Sequence, residues 1–418
     1  MLLQMKSVRM SEINGRIAAR PSKSVMQRVL AASLLAPGRS RIRNPSFCRD
    51  SEAALNAART LGAKVTKTPE LVTIDGGLSP NRQEIHCGEA GLTLRMFTPI
   101  AALFDKPIKM IARGTLRRRP MDGIQEVLTS LGCSCTVNGN HPPLTVTGPM
   151  RGGCCEIDGS LTSQFLSGLL FALPLTPAGG CIRVTNPQSL PYIDLTLETL
   201  SAFGIQVANQ DYRLFRVRPN QVYSPAEVAV EGDWSSASFF LVAAALAGRI
   251  EMSGLNPASR QADKGITAAL EMCGAQVKWT GGILGVRKSK LRGFTFDATQ
   301  SPDLFPPLVA LALNCYSISR ISGVRRLRHK ESDRGRVLLE EFKHLGARMK
   351  IENDSLIIEG GKIHGGVVNS RHDHRIAMAA ACAGLKTKKP VTIVGSECVA
   401  KSHPGFFSDL AALGGRVQ

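Results

Sequence analysis

Six glycines recur at nearly constant spacing along the chain and divide it into repeats. Each follows a Leu, Phe or Cys that ends a helical pattern, and each precedes a short strand-like run: Gly62, Gly132, Gly204, Gly274, Gly346 and Gly414. The intervals between them are 70, 72, 70, 72 and 68 residues. Glycine is favoured directly after a helix because it adopts left-handed backbone angles without a steric cost. The spacing therefore predicts six similar α/β units.

A helical segment that is apolar on almost every face opens each repeat. The first is Ser22–Ala36, whose polar start carries Lys23 and Arg28. The later segments are Met96–Phe104, Phe165–Leu173, Ala237–Ala247, Leu304–Leu313 and Ile376–Leu385. A helix without a polar face is expected to be buried. Its free amides, its dipole and nearby cations all favour an anion at its N-terminus.

The rest of each repeat is typical of a strand, an amphipathic helix and a hairpin. In the first repeat these are the helix Ser51–Leu61 and the strands Lys64–Lys67 and Leu71–Ile74. A chain of 418 residues is expected to form two or three domains. The Pro-bearing stretch Arg218–Glu227, after three repeats, is the best candidate for an interdomain crossing, and a weaker candidate lies just before Lys23.

The formal net charge of +19 first suggests a nucleic-acid partner. However, aromatic residues make up only 5% of the chain, and no block of five Lys or Arg residues occurs. Bases would therefore find few side chains to stack on. Single cations at helix starts fit small anionic substrates better, so we expect such substrates and no nucleic acid.

The 11 cysteines include no Cys-x-x-Cys motif, and the eight histidines show no zinc-like spacing. An irregular set of this kind is typical of reduced thiols in a cytosol. Met1–Met10 lacks an apolar signal core, and no apolar run approaches the length of a membrane span. We expect a soluble cytoplasmic protein without a metal.

The densest ionisable run is Arg325–Arg334, and it allows two interpretations. In the first it is a capped helix start, with Ser332 or Asp333 as the cap. In the second, Lys330 and Arg334 hold an anion while Glu331 transfers a proton.

The other polar segments are equally ambiguous when each is taken alone. His372 and His374 could bind a metal, but an N-cap Asp373 beside an anion-binding Arg375 fits better. Ordinary capping or surface roles would explain the rest: Arg117–Pro120, Ser160–Gln164, Asp303 and Lys401. Their recurrence at equivalent places in six repeats favours a shared anion site instead.

These motifs, in this order, resemble the 5-enolpyruvylshikimate-3-phosphate (EPSP) synthase family of enolpyruvyl transferases from end to end. The matching segments are Ser22–Ser24 with Arg28, Gly88–Gly91 with Arg95, Arg119–Pro120, Asp158–Phe165, Ser189–Asp194, Glu231–Ala237, Pro302–Asp303, Lys330–Arg334, Asp373–Arg375 and Ala400–Lys401.

The resemblance implies a two-domain inside-out α/β barrel with six βαβαββ repeats, three per domain. One domain would comprise residues 1–20 and 231–418, and the other residues 21–230. The active site would lie in the cleft between them. Neither a metal nor an organic cofactor is implied, and we expect a monomer.

The implied reaction is that of a 3-phosphoshikimate 1-carboxyvinyltransferase of the shikimate pathway. It joins the enolpyruvyl group of phosphoenolpyruvate to the 5-hydroxyl of shikimate 3-phosphate and releases phosphate. The resemblance implies phosphoshikimate contacts from Lys23, Ser24, Arg28, Thr162, Ser163, Gln164, Ser189, Tyr192, Asp303 and Lys330. The implied phosphoenolpyruvate contacts are Lys23, Gly91, Arg119, Gln164, Arg334, Arg375 and Lys401.

Three residues carry implied catalytic roles. Asp303 would accept the proton of the attacking hydroxyl, and Lys23 would contact both substrates. Glu331 would protonate the methylene carbon and later remove a methyl proton.

The chain departs from the family pattern at a few positions. Glu89 replaces a usual Asn, which would place a negative charge beside phosphoenolpyruvate unless Arg95 or Arg119 neutralises it. Leu92 replaces a usual Thr or Ser, and Arg326 replaces a usual Asn.

Three alternatives remain at this point. The sister enolpyruvyl transferase acts on UDP-N-acetylglucosamine, and its reactive cysteine has no counterpart in Ile111–Arg119. A nucleic-acid-binding protein would bind oligonucleotides in a salt-sensitive way without turnover. A protein like the RNA-terminal-phosphate cyclases would require a nucleotide.

Overall fold

The computed structural model describes residues 3–361 and 363–418. The chain forms two compact units. The continuous unit is Pro21–Glu231. The discontinuous unit combines the N-terminal segment up to Arg20 with Gly232–Gln418.

The described residues contain strands and α-helices along their whole length. The strands are β1 (Met5–Arg9), β2 (Ile13–Ala18), β3 (Gly38–Arg43), β4 (Lys64–Lys67), β5 (Leu71–Gly76), β6 (Glu84–Gly88), β7 (Ile108–Ala112), β8 (Ser134–Asn138), β9 (His141–Thr147), β10 (Gly153–Asp158), β11 (Gly180–Thr185), β12 (Val207–Gln210), β13 (Leu214–Val217), β14 (Glu227–Ala229), β15 (Gly248–Ser253), β16 (Gln276–Thr280), β17 (Ile283–Arg287), β18 (Thr295–Asp297), β19 (Ser319–Ser322), β20 (Arg348–Glu352), β21 (Ser355–Glu359), β22 (Gly366–Asn369), β23 (Val391–Val394) and β24 (Arg416–Val417). The α-helices are α1 (Lys23–Leu35), α2 (Arg49–Thr60), α3 (Gly91–Ala101), α4 (Ile124–Ser130), α5 (Gln164–Ala172), α6 (Leu190–Ala202), α7 (Trp234–Ala247), α8 (Ile266–Met272), α9 (Phe305–Ala312), α10 (Arg334–Lys343), α11 (His374–Gly384) and α12 (Phe406–Ala412).

The strands form six four-stranded sheets, three in each unit, and all six share one pattern. Each sheet has one parallel pair at an edge, followed by two antiparallel pairings. The continuous unit holds the orders β14-β3-β5-β4, β6-β7-β9-β8 and β10-β11-β13-β12. The discontinuous unit holds β16-β17-β15-β2, β18-β19-β21-β20 and β22-β23-β1-β24. The predicted fold of six βαβαββ repeats, three per unit, is confirmed.

The first and fourth repeats exchange their opening strands. The strand before α1 is β2, but it pairs in parallel with β15 of the discontinuous unit. The strand before α7 is β14, and it pairs in parallel with β3 of the continuous unit. This exchange explains why the chain passes between the units twice, after Arg20 and after Glu231.

The apolar helices occupy the interior of each unit, as their sequences predicted. In α1 every residue from Met26 to Leu35 is buried, and α7 is buried throughout. Helix α3 contacts both α1 and α5 in the continuous unit, and α7, α9 and α11 contact one another in the discontinuous unit. The sheets surround these helices, so each unit is an inside-out α/β structure.

The six marker glycines all have the backbone angles that their spacing predicted. Their φ values run from 80° at Gly204 and Gly346 to 114° at Gly62. A side chain is strained in this region, so glycine is required directly after each of these helices.

Two boundary predictions need correction. The stretch Arg218–Glu227 lies within the continuous unit and is not the crossing, because Tyr223 is buried there and its hydroxyl donates to the Phe171 carbonyl at 2.7 Å. The second apolar helix begins at Gly91 and ends at Ala101, earlier than the predicted Met96–Phe104. Its N-terminal turn therefore includes residues that the sequence suggested would precede the helix.

Within residues 3–361 and 363–418, none of the helices combines the length and the apolar character that crossing a bilayer requires.

We predict that Gly248→Ala destabilises the discontinuous unit. Gly248 lies opposite Ile13 in the β15–β2 pair, and a Cβ atom at this position would overlap the Ile13 carbonyl oxygen. Relieving such an overlap costs about 1–3 kcal/mol, which should lower the midpoint of thermal unfolding by several degrees.

Gly285→Ala in the same sheet is the matched control. A Cβ atom there meets nothing closer than 3.5 Å, at the Lys278 carbonyl oxygen. Differential scanning calorimetry of both variants provides the comparison. Equal midpoints would show that the β15–β2 contact is not tight at Gly248.

Candidate active site

The start of α1 places Lys23 beside a buried carboxylate. Ser22 caps the helix by accepting a hydrogen bond from the Val25 amide. The Lys23 ammonium lies 2.8 Å from Oδ2 of Asp50, which belongs to the first turn of α2. Both side chains are almost buried. Asp50 thus fixes the Lys23 cation at a helix N-terminus, a role that the sequence analysis missed.

Arg28 connects two of the predicted phosphoshikimate residues. Its guanidinium donates to the backbone carbonyls of Ser24 at 2.8 Å and Tyr192 at 3.0 Å, and to the Thr196 hydroxyl at 2.9 Å. Burial lowers the pKa of Arg28 to about 10, an effect that Tyr192 opposes. The side chain therefore stays charged at neutral pH while it holds α1 against the first turn of α6.

Gly91, Arg119 and Gln164 form a second group in the continuous unit. A Cβ atom on Gly91 would lie 2.5 Å from a guanidinium nitrogen of Arg119 and 3.5 Å from Oε1 of Gln164. Arg95 supports the group by donating to Gln164 Oε1 at 3.1 Å and to the Pro120 carbonyl at 2.8 Å. The absence of a side chain at Gly91 therefore leaves room for the two arginine side chains and the Gln164 amide.

The segments before α5 and α6 supply the remaining predicted residues of this unit. The Thr162 hydroxyl accepts from the Gln164 amide at 3.2 Å, and Ser163 is buried at the start of α5. Ser189 precedes α6 with φ of 58° and ψ of 42°, an uncommon conformation for a residue other than glycine. Such local strain is typical of functional segments.

The carboxylate of Glu89 has a backbone partner. It accepts a hydrogen bond from the Thr115 amide at 2.8 Å, at the start of the 3₁₀ helix Gly114–Arg118. The sequence analysis had considered only Arg95 or Arg119 for its neutralisation. A carboxylate at the start of a helix is stabilised by the free amides there.

In the discontinuous unit, Arg334 is completely buried and is held by three carboxylates. Its guanidinium donates to Asp303 at 2.8 Å, to Glu331 at 2.7 Å and to Asp373 at 2.9 Å. The carboxylates come from separate segments, before α9, before α10 and at the start of α11. Burial alone would lower the pKa of Arg334, but Asp373, Glu331 and Asp303 outweigh this effect and raise the pKa above its ordinary value.

Asp303 lies among four charged groups that the sequence had marked. Besides Arg334, it contacts Arg375 at 3.0 Å and Lys330 at 3.6 Å. Burial would raise the pKa of Asp303, but Arg375, Lys330 and Arg334 outweigh this effect and hold it well below its usual range, although Glu331 opposes them. Burial lowers the pKa of Lys330 to about 8, and Arg334 contributes while Asp303 opposes.

Lys401 completes this group from the end of the 3₁₀ helix Ser396–Lys401. Its ammonium is buried and lies 3.4 Å from Oε1 of Glu331. The carboxylates of Asp303, Glu331 and Asp373 thus face four cations, Lys330, Arg334, Arg375 and Lys401. We call these seven residues the carboxylate–cation cluster; its formal charge is 4 − 3 = +1.

The capping interpretations also hold for some residues. Asp333 accepts from the Arg336 amide and caps α10, while Asp373 accepts from the Arg375 amide and caps α11. The described part of the chain contains no group of three or more His, Cys, Asp or Glu residues arranged to hold a metal ion. Capping and charge pairing therefore coexist in the same segments.

Asp263 is a further residue that sequence reasoning missed. It is fully buried, and its Oδ2 accepts a hydrogen bond from Ser235 at the start of α7. Burial raises the pKa of Asp263 to about 6; Asp303 and Asp233 add to this effect, while Arg375 and Ser235 oppose it. In the sequence Asp263 belongs to no distinctive motif, so no local signal could have identified it.

Known proteins resemble this chain in sequence and in fold. Residues 8–410 match the family described as "EPSP synthase (3-phosphoshikimate 1-carboxyvinyltransferase)". The chain belongs to the EPSP synthase family. Its predicted activity is thereby confirmed, and the chain is an enzyme with 3-phosphoshikimate 1-carboxyvinyltransferase activity (EC 2.5.1.19).

Relatives within this family are similar over the whole chain. A 3-phosphoshikimate 1-carboxyvinyltransferase of Aeropyrum pernix is 39% identical, with 98% of this chain and 95% of the relative covered. One from Clostridium kluyveri is 36% identical, with 99% and 98% covered. A solved EPSP synthase of Acinetobacter baumannii superimposes with a TM-score of 0.83 at 27% identity, covering 99% of this chain and 100% of that one.

We predict that Asp263→Asn stabilises this EPSP synthase family member, and does so more at pH 7.5 than at pH 4.5. The raised pKa means that the folded state favours the protonated carboxyl, so this stabilisation is complete below the ordinary pKa of 3.8 and is lost as pH rises from there through about 6. A difference of about two pKa units corresponds to roughly 3 kcal/mol. Thermal unfolding of both proteins across this pH range measures the effect. A gap that does not change with pH would contradict it.

Proposed function

We propose that two groups of side chains hold the substrates of this transferase. One group is Lys23, Ser24, Arg28, Gly91, Arg119, Thr162, Ser163, Gln164, Ser189 and Tyr192 of the continuous unit, and the other is the carboxylate–cation cluster. The observation that carries the proposal is the set of contacts that join Asp303, Glu331 and Arg334. Both proposed catalytic carboxylates touch one buried guanidinium.

The charges suit two phosphorylated anions, phosphoenolpyruvate and shikimate 3-phosphate, the substrates that the family uses. Lys23 would contact both, and Gly91, Arg119 and Gln164 would join it at phosphoenolpyruvate. Arg334, Arg375 and Lys401 would bind the same substrate from the second group. Guanidinium groups bind phosphate and carboxylate through paired hydrogen bonds, and such charge-assisted bonds are among the stronger ones in proteins.

An arriving anion would compete with the carboxylates for the same cations. Lys330 and Arg375 lower the pKa of Asp303, so a substrate that draws them away makes Asp303 a stronger base. Lys401 could be drawn away from Glu331 in the same way, because its ammonium lies 3.4 Å from that carboxylate. Substrate binding would therefore raise the pKa of both carboxylates, Asp303 and Glu331.

The proposed steps assign one proton path to each carboxylate. Glu331, which must carry a proton when the reaction begins, transfers it to the methylene carbon of phosphoenolpyruvate and leaves a cationic centre at the carbon that carries the phosphate. The 5-hydroxyl of shikimate 3-phosphate attacks this carbon and loses its proton to Asp303. Glu331 then removes a proton from the new methyl group as phosphate leaves, which restores the double bond.

We also propose that the chain acts as a cytoplasmic monomer without a nucleic-acid partner. Composition supports the absence of a nucleic-acid partner and the cytoplasmic location. Aromatic residues are scarce, and the thiols form an irregular set without a disulfide framework. Sedimentation measurements test the oligomeric state.

Phosphate release tests the assignment of Glu331. We expect release with phosphoenolpyruvate plus shikimate 3-phosphate and none with phosphoenolpyruvate plus UDP-N-acetylglucosamine. Glu331→Gln should lower kcat by about 100- to 10,000-fold, as expected for the loss of a general acid–base group. Lys23→Ala and Arg334→Ala should also lower turnover by orders of magnitude.

Glu340→Gln is the matched control because Glu340 pairs with Arg336 on the exposed face of α10. It should retain full activity. If Glu331→Gln matches this control in kcat, the carboxylate has no role in proton transfer.

We predict that Gly91→Ala raises KM for phosphoenolpyruvate by roughly 10- to 100-fold, because the methyl group displaces the Arg119 guanidinium and weakens one charge-assisted contact. KM for shikimate 3-phosphate should change little. Gly285→Ala, far less crowded, controls for the added methyl group. Equal effects on both KM values would place phosphoenolpyruvate elsewhere.

A further inference from the structure

Two cysteines stand side by side on neighbouring strands of the continuous unit. Cys154 of β10 and Cys181 of β11 are Cα partners in the parallel pair. Cys154 is exposed and Cys181 is half-buried. The next residue, Cys155, points to the opposite face because side chains alternate along a strand. The exposed face of this sheet therefore carries a pair of thiols.

The strand pairing places the two cysteines at a separation that suits a disulfide. Neighbouring strands lie about 4.7–4.9 Å apart, and a disulfide usually spans Cα atoms separated by about 4.4–6.8 Å. A covalent bond between these sulfurs would therefore require little movement of either strand.

A cation lies beside the pair. Arg216 of β13 is the Cα partner of Cys181 on its other side. Its neighbour Cys181 and burial together raise the pKa of the Cys154 thiol, and Arg216 opposes this rise. The guanidinium thus limits the rise and favours the thiolate, which is the reactive form of cysteine.

The other cysteines are less suited to oxidation. Eight of the eleven are buried. Burial raises the pKa of the Cys155 thiol to about 12, with smaller contributions from Cys154 and Cys181. Reactivity with oxidants follows thiolate character and exposure, so the Cys154–Cys181 pair is favoured on exposure and on geometry.

We propose that Cys154 and Cys181 form a dithiol modification site that hydrogen peroxide converts into a reversible disulfide between β10 and β11. One thiolate attacks a peroxide oxygen, the O–O bond breaks, and the products are a sulfenic acid and, after protonation, water. The second thiol attacks that sulfur and releases a second water molecule as the S–S bond forms. Two thiols thus lose two electrons in all, and the peroxide gains them.

The position of the pair determines what the bond does. The carboxyl ends of β10 and β11 lead to Thr162–Gln164 and to Ser189–Tyr192, the proposed phosphoshikimate segments. The cysteines lie near the opposite ends of these strands, four residues before each strand ends at Asp158 and Thr185. The disulfide would therefore link the N-terminal ends of both strands and leave the binding segments in place.

Peptide mapping of the full chain tests the proposal. No Lys or Arg lies between Arg151 and Arg183, so one tryptic peptide contains Cys154, Cys155 and Cys181. After treatment with hydrogen peroxide and thiol alkylation without reduction, this peptide should be lighter by two hydrogen atoms and carry a single alkyl group. Cleavage after Phe165 should leave its two parts joined until dithiothreitol is added.

Three variants identify the sulfurs. Cys154→Ser and Cys181→Ser should each abolish the cross-link, and Cys155→Ser should retain it. The oxidised wild-type enzyme should unfold at a temperature higher by on the order of 5 °C, with KM for shikimate 3-phosphate changed less than twofold.

Several results would overturn the proposal. They are full alkylation of both cysteines after peroxide, a cross-link that survives in Cys154→Ser, or one that disappears in Cys155→Ser. A loss of activity on oxidation that dithiothreitol reverses would contradict the stabilising role. None of these outcomes depends on which residues perform the transfer reaction.

Discussion

The polar centre of the discontinuous unit depends on the ion pairs between the buried guanidinium of Arg334 and three carboxylates. Removing a charge from water costs several kcal/mol, and Asp303, Glu331 and Asp373 compensate by accepting hydrogen bonds at 2.7–2.9 Å. These carboxylates belong to three separate segments, so Arg334 also ties together the starts of α9, α10 and α11. The cluster is therefore complete only when these three segments pack together.

The repeat architecture explains why such clusters form. Each repeat buries an apolar helix, and the polar residues that cap or precede it are left at its N-terminus. Ser22, Asp233 and Asp373 act as caps at three of these starts. The same groups that stabilise free amides are therefore available to bind cations and, as proposed, anionic substrates. The same few charged residues serve both stability and, as proposed, substrate binding. A substitution among them is therefore expected to affect both properties.

Much of the fold was readable from local patterns. The six repeats, their buried helices and the glycines after each second helix follow from periodicity and backbone preference, and the strand Lys64–Lys67 was predicted to the residue. Family resemblance marked most of the charged residues that the carboxylate–cation cluster brings together. It did not mark Asp50, Asp263 or the hydrogen bond from the Thr115 amide to Glu89, because their roles depend on partners distant in the chain.

The sequence by itself determined the number of repeats and the kind of most elements, because helix periodicity, caps and turn glycines act over a few residues; the family came from the resemblance of its ordered motifs. Only the tertiary structure decided which strand pairs with which, including the exchange of β2 and β14, and which carboxylate neutralises each cation. Hydrogen bonds between strands and ion pairs form between any compatible groups that come close. Their partners are therefore chosen by how the whole chain packs, a property that no local pattern contains.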